Sequence, residues 1–444
     1  MDSLFRSALH FFQNKMTSKV YPILLVLSGL GQETSYLFMT LTPDWGINLG
    51  KYFLGFFIAF VFYLIAFYLI EQDRLKQSLR IINFFSILFA ATLLWTLPTL
   101  SNDIHRYLWE GRVQQAGINP YLISPENEGL KDLRDSNYHL MDHRFLTAIY
   151  PPGAQLFFRL VTKMSDEVVF LKSILILCYG GCIWILIQIL KLGNIPKERV
   201  LIFAWNPLVL IETASSGHID ILGVLLLLFS ILLFFQNKFY FSGILLSASV
   251  LVKYMPIPFL FLWVRQMRIK VGLVFLFMIG IEFMLLYWPY RESFQKIFDS
   301  LLTYMGHWQF NGFIYRCVME YYPERESFIR GSVLLIALEI IYFFWRKTSL
   351  LRAVPIVIVS ILFLSPVLYP WYLLWLVPFL VFKPILSMIA FTACIQLSYF
   401  ILPDYQLLGV WQEKEWVLWL EYGTLGGMII FEWGRKLIVY RNLI

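Results

Sequence analysis

The sequence is poor in charged residues. Only 15% of its 444 residues are Asp, Glu, Lys or Arg, whereas 59% are hydrophobic. Soluble domains carry about 25% charged residues, so this composition excludes an ordinary water-soluble domain. Apolar runs such as 52–70 and 168–190 are long enough to cross about 30 Å of hydrocarbon as helices. They lack the alternation, over about ten residues, that marks β-barrel spans, so we predict an all-α integral membrane protein.

The sequence also lacks features that would indicate other classes of protein. The four cysteines give no paired framework. The net charge of +7 does not indicate nucleic-acid binding, because much of it lies in short loops beside apolar runs. No cleavable signal peptide is expected, because the first apolar run, 20–42, is too long for a signal sequence. No repeat relates the two halves of the chain, which counts against a secondary transporter.

The apolar runs predict about 12–14 transmembrane helices. Several runs are too short to cross alone, so we expect some half-helices or re-entrant pieces buried against their neighbours. The predicted spans lie near 20–42, 52–70, 80–99, 168–190, 200–214, 219–235, 239–252, 254–264, 271–288, 331–345, 354–369, 371–382, 385–402 and 417–434.

Basic residues between the spans set the expected orientation, since cytoplasmic loops are enriched in Lys and Arg. With the amino terminus inside, every basic cluster falls on the cytoplasmic side. These clusters are Arg6, Lys15 and Lys19; Arg74, Lys76 and Arg80; Lys191, Lys197 and Arg199; Arg265, Arg268 and Lys270; Arg346, Lys347 and Arg352; and Arg435, Lys436 and Arg441.

The same orientation places the long segments of mixed charge on the opposite, outer face. They are a loop over 100–167, in which we expect short amphipathic helices, and a second loop over 289–330. The same orientation also places the turns 215–220 and 368–372 on the outer face. We therefore expect a single domain, 1–444, multi-pass in the inner (plasma) membrane, with its chemistry on the outer, periplasmic or extracellular, face.

The outer loop begins with a concentration of charge directly after an apolar run. Five charged or titratable residues fall in ten positions: Asp103, His105, Arg106, Glu110 and Arg112. Asp103 directly precedes a predicted helix, 104–116, and the other four lie on it. Asp103 could cap that helix, and Arg106 with Glu110 fits a simple ion pair between successive turns. The position of the whole cluster at a span end favours a functional site, because ionisable groups at that depth usually face a cavity.

A resemblance to the membrane-embedded GT-C glycosyltransferases rests on two stretches, NDIHRYLWEGRVQQAGINPY (102–121) and LRDSNYHLMDHRFLTAIYPPGAQLFF (133–158). They are most similar to the bacterial polyprenyl-phosphate-mannose-dependent mannosyltransferases. The residues that match the family pattern are Asp103, Arg106, Tyr107, Trp109, Glu110, Gly111, Arg112, Asn119, Pro120, Tyr121, Tyr150, Pro151 and Pro152. Asn102 departs from it, because relatives often carry a second acid there, and this weakens the case for a paired-acid metal site.

The resemblance implies an inverting glycosyltransferase. It would move a sugar, with mannose as the family's leading case, from a polyprenyl-phosphate donor to a hydroxyl of a glycolipid or glycan. A carboxylate must take the proton of that hydroxyl as it attacks the sugar. We assign this general base to Asp103, with Asp44 in the first outer loop as the alternative.

The leaving lipid phosphate needs cations near the membrane surface. The candidate donor-phosphate ligands are Arg106, Arg112, His143, Lys253, His218 and His307. Some have an equally ordinary interpretation. Lys253 could be a lysine that reaches the interface from a helix end, His218 could be exposed beside a helix-capping Asp220, and His307 could belong to an interfacial aromatic belt.

Polar and aromatic residues near these positions are candidates for binding the sugar or the acceptor. They are His105, Tyr107, Trp109, Glu110, Asn119, Tyr121, Tyr150, Glu212, Asp220, Asn311 and Trp371. We predict no metal site and no required cofactor, because the sequence has no zinc-type ligand spacing and a donor with one phosphate does not require a divalent ion. A divalent cation is left open.

Two other functions are also left open. A flippase or transporter of lipid-linked saccharides would need a cationic cavity, but not a carboxylate at a span end. An O-antigen-ligase-like enzyme would share the donor class and the long outer loop, and only the match over 103–121 separates the two. The expected partners are the polyprenyl-phosphate sugar, the glycolipid or glycan acceptor and membrane lipids, and not nucleic acid.

Overall fold

The computed structural model describes residues 20–72 and 78–441, the last seven of these by their backbone only. The structure is 75% helical. Within the described residues no β-strand forms, and the nearest approach to one is a pair of isolated bridges from Phe310 and Asn311 to Val367. The predicted all-α fold is confirmed.

The described helices in chain order are α1 Val20–Thr40, α2 Leu49–Glu71, α3 Leu79–Leu94, α4 Asp103–Gln115, α5 Pro152–Met164, α6 Val168–Leu192, α7 Leu201–Ala204, α8 Pro207–Leu210, α9 Asp220–Phe235, α10 Phe239–Val252, α11 Phe259–Arg265, α12 Ile269–Tyr287, α13 Asp299–His307, α14 Phe313–Tyr321, α15 Arg325–Arg346, α16 Leu350–Phe363, α17 Val377–Leu380, α18 Leu386–Cys394, α19 Leu402–Leu408 and α20 Glu415–Arg441. Tighter 3₁₀ turns lie at Glu128–Leu133, Ser136–Leu140, Lys197–Val200, Trp288–Ser293, Pro370–Trp375 and Ile395–Ile401, and a π turn at Ile211–Ser215.

Five of the described helical segments are long and apolar enough to cross a membrane. They are Leu49–Glu71, Val168–Leu192, Ile269–Ser293, Arg325–Arg346 and Leu386–Leu408, and a sixth is formed if the bent pair Pro207–Ser215 and Asp220–Phe235 counts as one span. Three shorter apolar helices accompany them. The chain is thus a polytopic membrane protein. Single helices of spanning length are fewer than the about 12–14 spans predicted, because several predicted spans are divided into short pieces.

The predicted span 200–214 shows how such a division arises. Helix α7 ends before Asn206, whose side-chain oxygen accepts a hydrogen bond from the backbone N–H of Leu208 at 3.0 Å. Pro207 has no N–H and cannot continue the preceding helix. The chain then passes through the π turn and bends by 119° into α9. Our expectation of half-helices buried against their neighbours is confirmed in this region.

The helices differ in how much of their surface the protein covers. In Leu49–Glu71 and Val168–Leu192, 56% of the most apolar stretch is buried, against 17% in Ile269–Ser293 and 11% in Arg325–Arg346. The last two therefore lie at the periphery, and side chains such as Phe277 and Leu334 remain exposed. Apolar side chains exposed along a whole helix are what a lipid environment accommodates.

Several contacts join connections between the helices. Arg199 pairs with Glu71 at 2.9 Å, which joins the connections after α2 and α6. The loops predicted over 100–167 and 289–330 also meet, since Asn119 contacts Ser293 and Thr147 contacts Ser300, and Tyr405 of α19 contacts Asp142. Of the basic clusters used for the orientation, Arg6, Lys15, Lys19, Arg74, Lys76 and the side chains of Arg435, Lys436 and Arg441 lie outside the described residues.

Candidate active site

Asp103 is the first residue of α4, so the predicted helix is confirmed with a start one residue earlier. Its backbone N–H donates to Ser101 Oγ at 3.3 Å. Its carboxylate faces two hydroxyls instead of a helix end: Tyr107 OH lies 3.5 Å and Tyr150 OH 3.4 Å from Oδ2. The Asp103 side chain remains 40% exposed. A carboxylate that is held by hydroxyls and still reached by solvent can accept a proton from a substrate.

The turn after the π turn brings a histidine against this carboxylate. Gly217 has φ +74°, a conformation that favours glycine, and a Cβ there would lie 2.4 Å from Cδ1 of Ile104 on α4. The next residue, His218, donates its backbone N–H to Glu212 O at 2.9 Å. The bend therefore packs directly against the start of α4.

The imidazole of His218 lies between two carboxylates. Nδ1 is 3.8 Å from Asp103 Oδ2, and Nε2 is 3.4 Å from Glu212 Oε2. The ring is fully buried and stacks on Trp371 with centroids 4.0 Å apart and planes at 15°. The ordinary interpretation, an exposed His218 beside a capping Asp220, is wrong because the ring is buried, whereas donor-phosphate binding by His218 stays a prediction.

Glu212, in the π turn, is also fully buried. Its Oε1 accepts hydrogen bonds from Tyr399 OH at 2.9 Å and from Gln396 Nε2 at 3.1 Å. The side-chain oxygen Oε1 of Gln396 accepts in turn from Tyr52 OH. A polar path thus runs from the partly exposed carboxylate of Asp103, through His218 and Glu212, to the buried side chains of Gln396 and Tyr52.

A second buried acid lies near the first. Asp220, the first residue of α9, is fully buried, and its Oδ1 accepts from Lys253 Nζ at 2.6 Å and from Trp375 Nε1 at 2.7 Å. The Lys253 side chain is 20% exposed, and Nζ lies 4.5 Å from the ring centroid of Tyr372. Lys253 is therefore held by a buried counter-charge and is still partly accessible.

Aromatic side chains form one wall beside these acids. Trp371 stacks on Tyr369 at 4.3 Å, and Tyr369 stacks on Phe310 at 4.6 Å. Tyr304 OH lies 3.2 Å from Tyr372 OH. Trp371, which we predicted as a sugar or acceptor ligand, is 6% exposed and packs between His218 and Tyr369. It therefore supports His218 more directly than it offers a free platform.

Arg106 and Glu110 do form the predicted pair between successive turns, at 2.7 Å. Arg106 also donates to the backbone oxygens of His143 and Leu146, and the second Glu110 oxygen accepts from Gln155. These contacts use most of the hydrogen-bonding capacity of both groups within the outer loop. The structure therefore gives Arg106 an evident structural role, whereas donor binding by it stays a prediction.

Arg112, His105 and Trp109 lie away from Asp103, within the packed outer loop. Arg112 contacts Asp135 and Asp166, each within 2.7 Å, and the backbone oxygen of Leu133. Trp109 packs on Tyr138, with ring centroids 5.3 Å apart. Burial is the largest influence on His105 and lowers its pKa, against the opposing effect of the Asp135 and Asp142 carboxylates.

The remaining predicted ligands fall into two groups. Asn119 and Tyr121 brace the loop: Asn119 Oδ1 accepts from the backbone of Tyr121 at 3.0 Å, and Tyr121 OH donates to Tyr150 O at 2.6 Å. His143 and His307 are exposed. The His143 ring lies 4.8 Å from that of Trp308.

Asn311 belongs to a different neighbourhood. Its backbone N–H donates to Glu413 at 2.7 Å, and its carbonyl accepts from Tyr422. Nearby, a groove of about 530 Å³ lies between α14 and the start of α20, with Phe310, Arg316 and Trp419 in its lining. Asp103 is not among its lining residues.

Asp44, the alternative base, closes a local turn. Its Oδ1 accepts from the backbone N–H of Ile47 at 3.1 Å, just before α2 begins. This is an Asx-type turn, in which an aspartate replaces a backbone acceptor. Its carboxylate has none of the hydroxyl and imidazole neighbours that surround Asp103, so the geometry favours Asp103.

The sequence analysis did not identify Lys172, which packs beside the turn at Gly217. It is fully buried in α6, and Nζ donates to Thr96 O at 2.7 Å and more weakly to Leu93 O at 3.4 Å. The available signal was an isolated lysine within the apolar run 168–190, since ionisable residues within spans are rarely incidental. Tyr304 and Tyr372 were also missed, and no sequence feature distinguished them from other aromatics.

The described residues contain no candidate cluster for a metal ion. Within residues 20–72 and 78–441, no group of three or more His, Cys, Asp or Glu residues is arranged to hold a metal ion. The acids of the site, Asp103, Glu212 and Asp220, are each engaged by hydroxyl, amide, indole, imidazole or ammonium groups instead.

Comparison with known proteins adds a family match. The model of a family described as "Alpha-(1->6)-mannopyranosyltransferase, N-terminal domain" matches residues 33–288, more than half of the chain and all of the acids above. Alpha-(1->6)-mannopyranosyltransferase A of Mycobacterium tuberculosis is 28% identical over 197 residues, which cover 42% of this chain and 38% of that protein. The match thus spans well under half of the relative's length. No solved structure matches this chain.

Proposed function

This chain belongs to the alpha-(1->6)-mannopyranosyltransferase family, and from that premise we propose that it is an α-mannosyltransferase with a polyprenyl-phosphate-mannose donor. The acceptor is a hydroxyl of a glycolipid or glycan. The observation that carries the proposal is the Asp103 carboxylate, partly exposed and held by two tyrosine hydroxyls, inside the segment that the family model matches.

Asp103 acts as the general base. The acceptor hydroxyl attacks C1 of the mannosyl unit, and its proton passes to the Asp103 carboxylate. The bond between C1 and the phosphate oxygen breaks, and its electron pair leaves with the polyprenyl phosphate. An α-linked product formed with inversion requires a donor in which the C1–phosphate bond is β.

Lys253 stabilises the departing phosphate. Arg106 and Arg112 are each bound by carboxylates and backbone oxygens of the outer loop. Lys253 has a single ion-pair partner, Asp220, and is 20% exposed beside the Tyr372 ring. An ammonium group held at the cleft before the reaction can stabilise charge that develops on the leaving group.

The site operates at the outer face of the inner membrane. This placement rests on the basic residues assigned to the opposite end, since Lys and Arg are enriched in cytoplasmic loops. It suits a donor whose lipid tail remains in the bilayer while its phosphate and sugar reach the interface.

The experiment that tests the proposal is transfer of radiolabelled mannose from polyprenyl-phosphate-mannose to a total lipid extract. Purified wild type, Asp103→Asn and Asp132→Asn are compared. Asp132 is an exposed aspartate of the same outer loop and gives a matched control. We expect transfer by wild type and Asp132→Asn, with a loss of about 10²–10⁴-fold in Asp103→Asn, because an amide cannot accept the proton.

Two results would contradict parts of this proposal. Near-normal turnover by Asp103→Asn excludes Asp103 as the base. Absence of transfer by the wild type, with intact folding, excludes this donor and would favour another polyprenyl-phosphate sugar or transport of a lipid-linked saccharide.

A further inference from the structure

His218 is surrounded by groups that accept hydrogen bonds. Its two ring nitrogens face Asp103 Oδ2 at 3.8 Å and Glu212 Oε2 at 3.4 Å, and neither nitrogen has a closer partner among the described residues. The ring is completely buried, so water does not reach either edge. Its orientation is fixed by stacking on Trp371.

Both carboxyl groups act as hydrogen-bond acceptors. Glu212 Oε1 accepts hydrogen bonds from Tyr399 and Gln396. Asp103 is 40% exposed and faces two tyrosine hydroxyls. An ionised carboxylate only accepts hydrogen bonds.

A neutral imidazole cannot satisfy this arrangement. It donates from one nitrogen and has a lone pair on the other. The second nitrogen of His218 would therefore place its lone pair against a carboxylate oxygen, with no hydrogen between the two acceptors. The doubly protonated ring donates from both nitrogens and compensates two buried or half-buried negative charges. Stacking of a cation on a tryptophan face adds a further favourable interaction.

We propose that His218 is a doubly protonated positioning residue, held by Glu212, which fixes Oδ2 of Asp103 and leaves Oδ1 to take the proton of the acceptor. The inference rests on the proposed function and deepens it. The contacts described for the Asp103 carboxylate all reach Oδ2: Tyr107, Tyr150 and His218. With Oδ2 held by these three groups, the partly exposed carboxylate keeps its other oxygen for the acceptor.

Glu212 and His218 do not carry the transferred proton. That proton moves from the acceptor hydroxyl to Asp103 Oδ1 and leaves to solvent when the product departs, through the exposed side of Asp103. His218 keeps both of its protons throughout. Its role is to hold the Asp103 carboxylate in the orientation that the reaction needs.

The other charged groups around this pair are few. Asp220 is neutralised by Lys253 at 2.6 Å. Lys172 packs beside Gly217, where a Cβ would meet its Cγ at 3.4 Å, but its ammonium is directed to backbone oxygens at the end of α3. Four tyrosine hydroxyls complete the surroundings: Tyr107 and Tyr150 donate to Asp103, Tyr399 donates to Glu212, and Tyr52 donates to the side chain of Gln396.

The first test is the pH dependence of mannosyl transfer by four proteins: wild type, His218→Gln, Glu212→Gln and the double variant. We expect kcat to fall by about 10²-fold in each single variant with the donor KM within about twofold, since misplacement of a catalytic group costs about that much. The acid limb of the rate profile should move to higher pH, because Asp103 loses the neighbouring cation that favours its ionised form.

The rate of the double variant distinguishes this positioning role from a purely structural one. Because Glu212 acts only through His218, the double variant should be no slower than His218→Gln alone, whereas independent contributions would multiply. His139→Gln, an exposed histidine of the outer loop, is the matched control and should behave as wild type. Reduced rates without movement of the acid limb, or a limb that moves to lower pH, would overturn the proposal.

A second measurement does not depend on activity. In protein labelled with ¹⁵N-histidine and reconstituted in lipid, the His218 signals are identified by their loss in His218→Gln. We expect both ring nitrogens to be protonated at neutral pH in wild type, and one to be deprotonated in Glu212→Gln. A neutral His218 in wild type would refute the inference, even if no transfer from polyprenyl-phosphate-mannose were seen and the proposed donor were wrong.

Discussion

Lys172 donates its ammonium group to the backbone oxygen of Thr96, at 2.7 Å, from a side chain without solvent exposure. Thr96 Oγ1 lies in turn 2.7 Å from Ser215 Oγ in the π turn. The last carbonyls of a helix lack partners within it, and here Lys172 supplies one for the end of α3. The chain that leads to Asp103 and the turn that carries Glu212 are therefore joined at one point.

We predict that Lys172→Met lowers both stability and turnover. A buried carbonyl left without its donor costs about 1–3 kcal/mol in the free energy of unfolding. Thermal unfolding in detergent measures this loss. Lys191→Met, at the exposed end of the same helix, is the control and should unfold like the wild type. Equal stability of the two variants would show that Lys172 is not needed as a cap.

Lys253→Met should be destabilising for another reason. It leaves the buried Asp220 without its cation, which costs about 3–5 kcal/mol. The double variant Asp220→Asn/Lys253→Met removes the unpaired charge and should recover most of the stability. If Lys253 binds the donor phosphate, the donor KM of the double variant stays raised by about tenfold, or about 1.4 kcal/mol. A normal donor KM in the stable double variant would limit Lys253 to neutralising Asp220.

Gly217→Ala should disturb the site through the backbone. The residue has φ +74°, which costs a residue with a Cβ about 1–2 kcal/mol, and the added carbon would lie 2.4 Å from Ile104. We expect a lower unfolding temperature and reduced transfer. Gly180→Ala, in the middle of α6 with no atom within 4 Å of the new carbon, should be neutral or slightly stabilising. Similar behaviour of the two variants would contradict the close packing of the turn on α4.

Stability should fall on mild acidification because of His105. Burial lowers the pKa of His105 in the folded protein, so between that value and about 6.5 the unfolded chain binds the proton more readily. The stabilising contribution is therefore complete above the unfolded pKa and is lost as the pH falls through this window. Unfolding temperatures measured between about pH 7.5 and 5 should decline less in His105→Gln. An equal decline in both proteins would assign the effect to other groups.

The class of fold was predictable because hydropathy is a local property. Long runs such as 168–190 form single helices with nearly the expected bounds. The division of 200–214 was harder to predict, since its free backbone oxygens are satisfied by distant side chains. Gln32 donates to Trp205 O and Tyr63 to Ile202 O. Such breaks depend on tertiary partners that apolar composition does not reveal.

The site was predictable in part. Asp103, Tyr107, Tyr150, His218, Glu212, Asp220, Lys253 and Trp371 were all named from the sequence and do come together. The burial of His218 was not foreseen, because its partner Glu212 and its cover Trp371 are contributed by different segments. Arg112 shows the reverse, since its carboxylate partners Asp135 and Asp166 occupy it within the loop.

The position of Glu212 has a consequence for biogenesis. Its two hydrogen-bond donors outside the π turn, Gln396 and Tyr399, are synthesised 184 and 187 residues later. A nascent chain that has emerged only as far as α9 therefore contains Glu212 without the amide and hydroxyl donors that hold it in the folded protein. The packing around Glu212 is complete only after the segment that carries Gln396 and Tyr399 has been synthesised and has packed against the π turn.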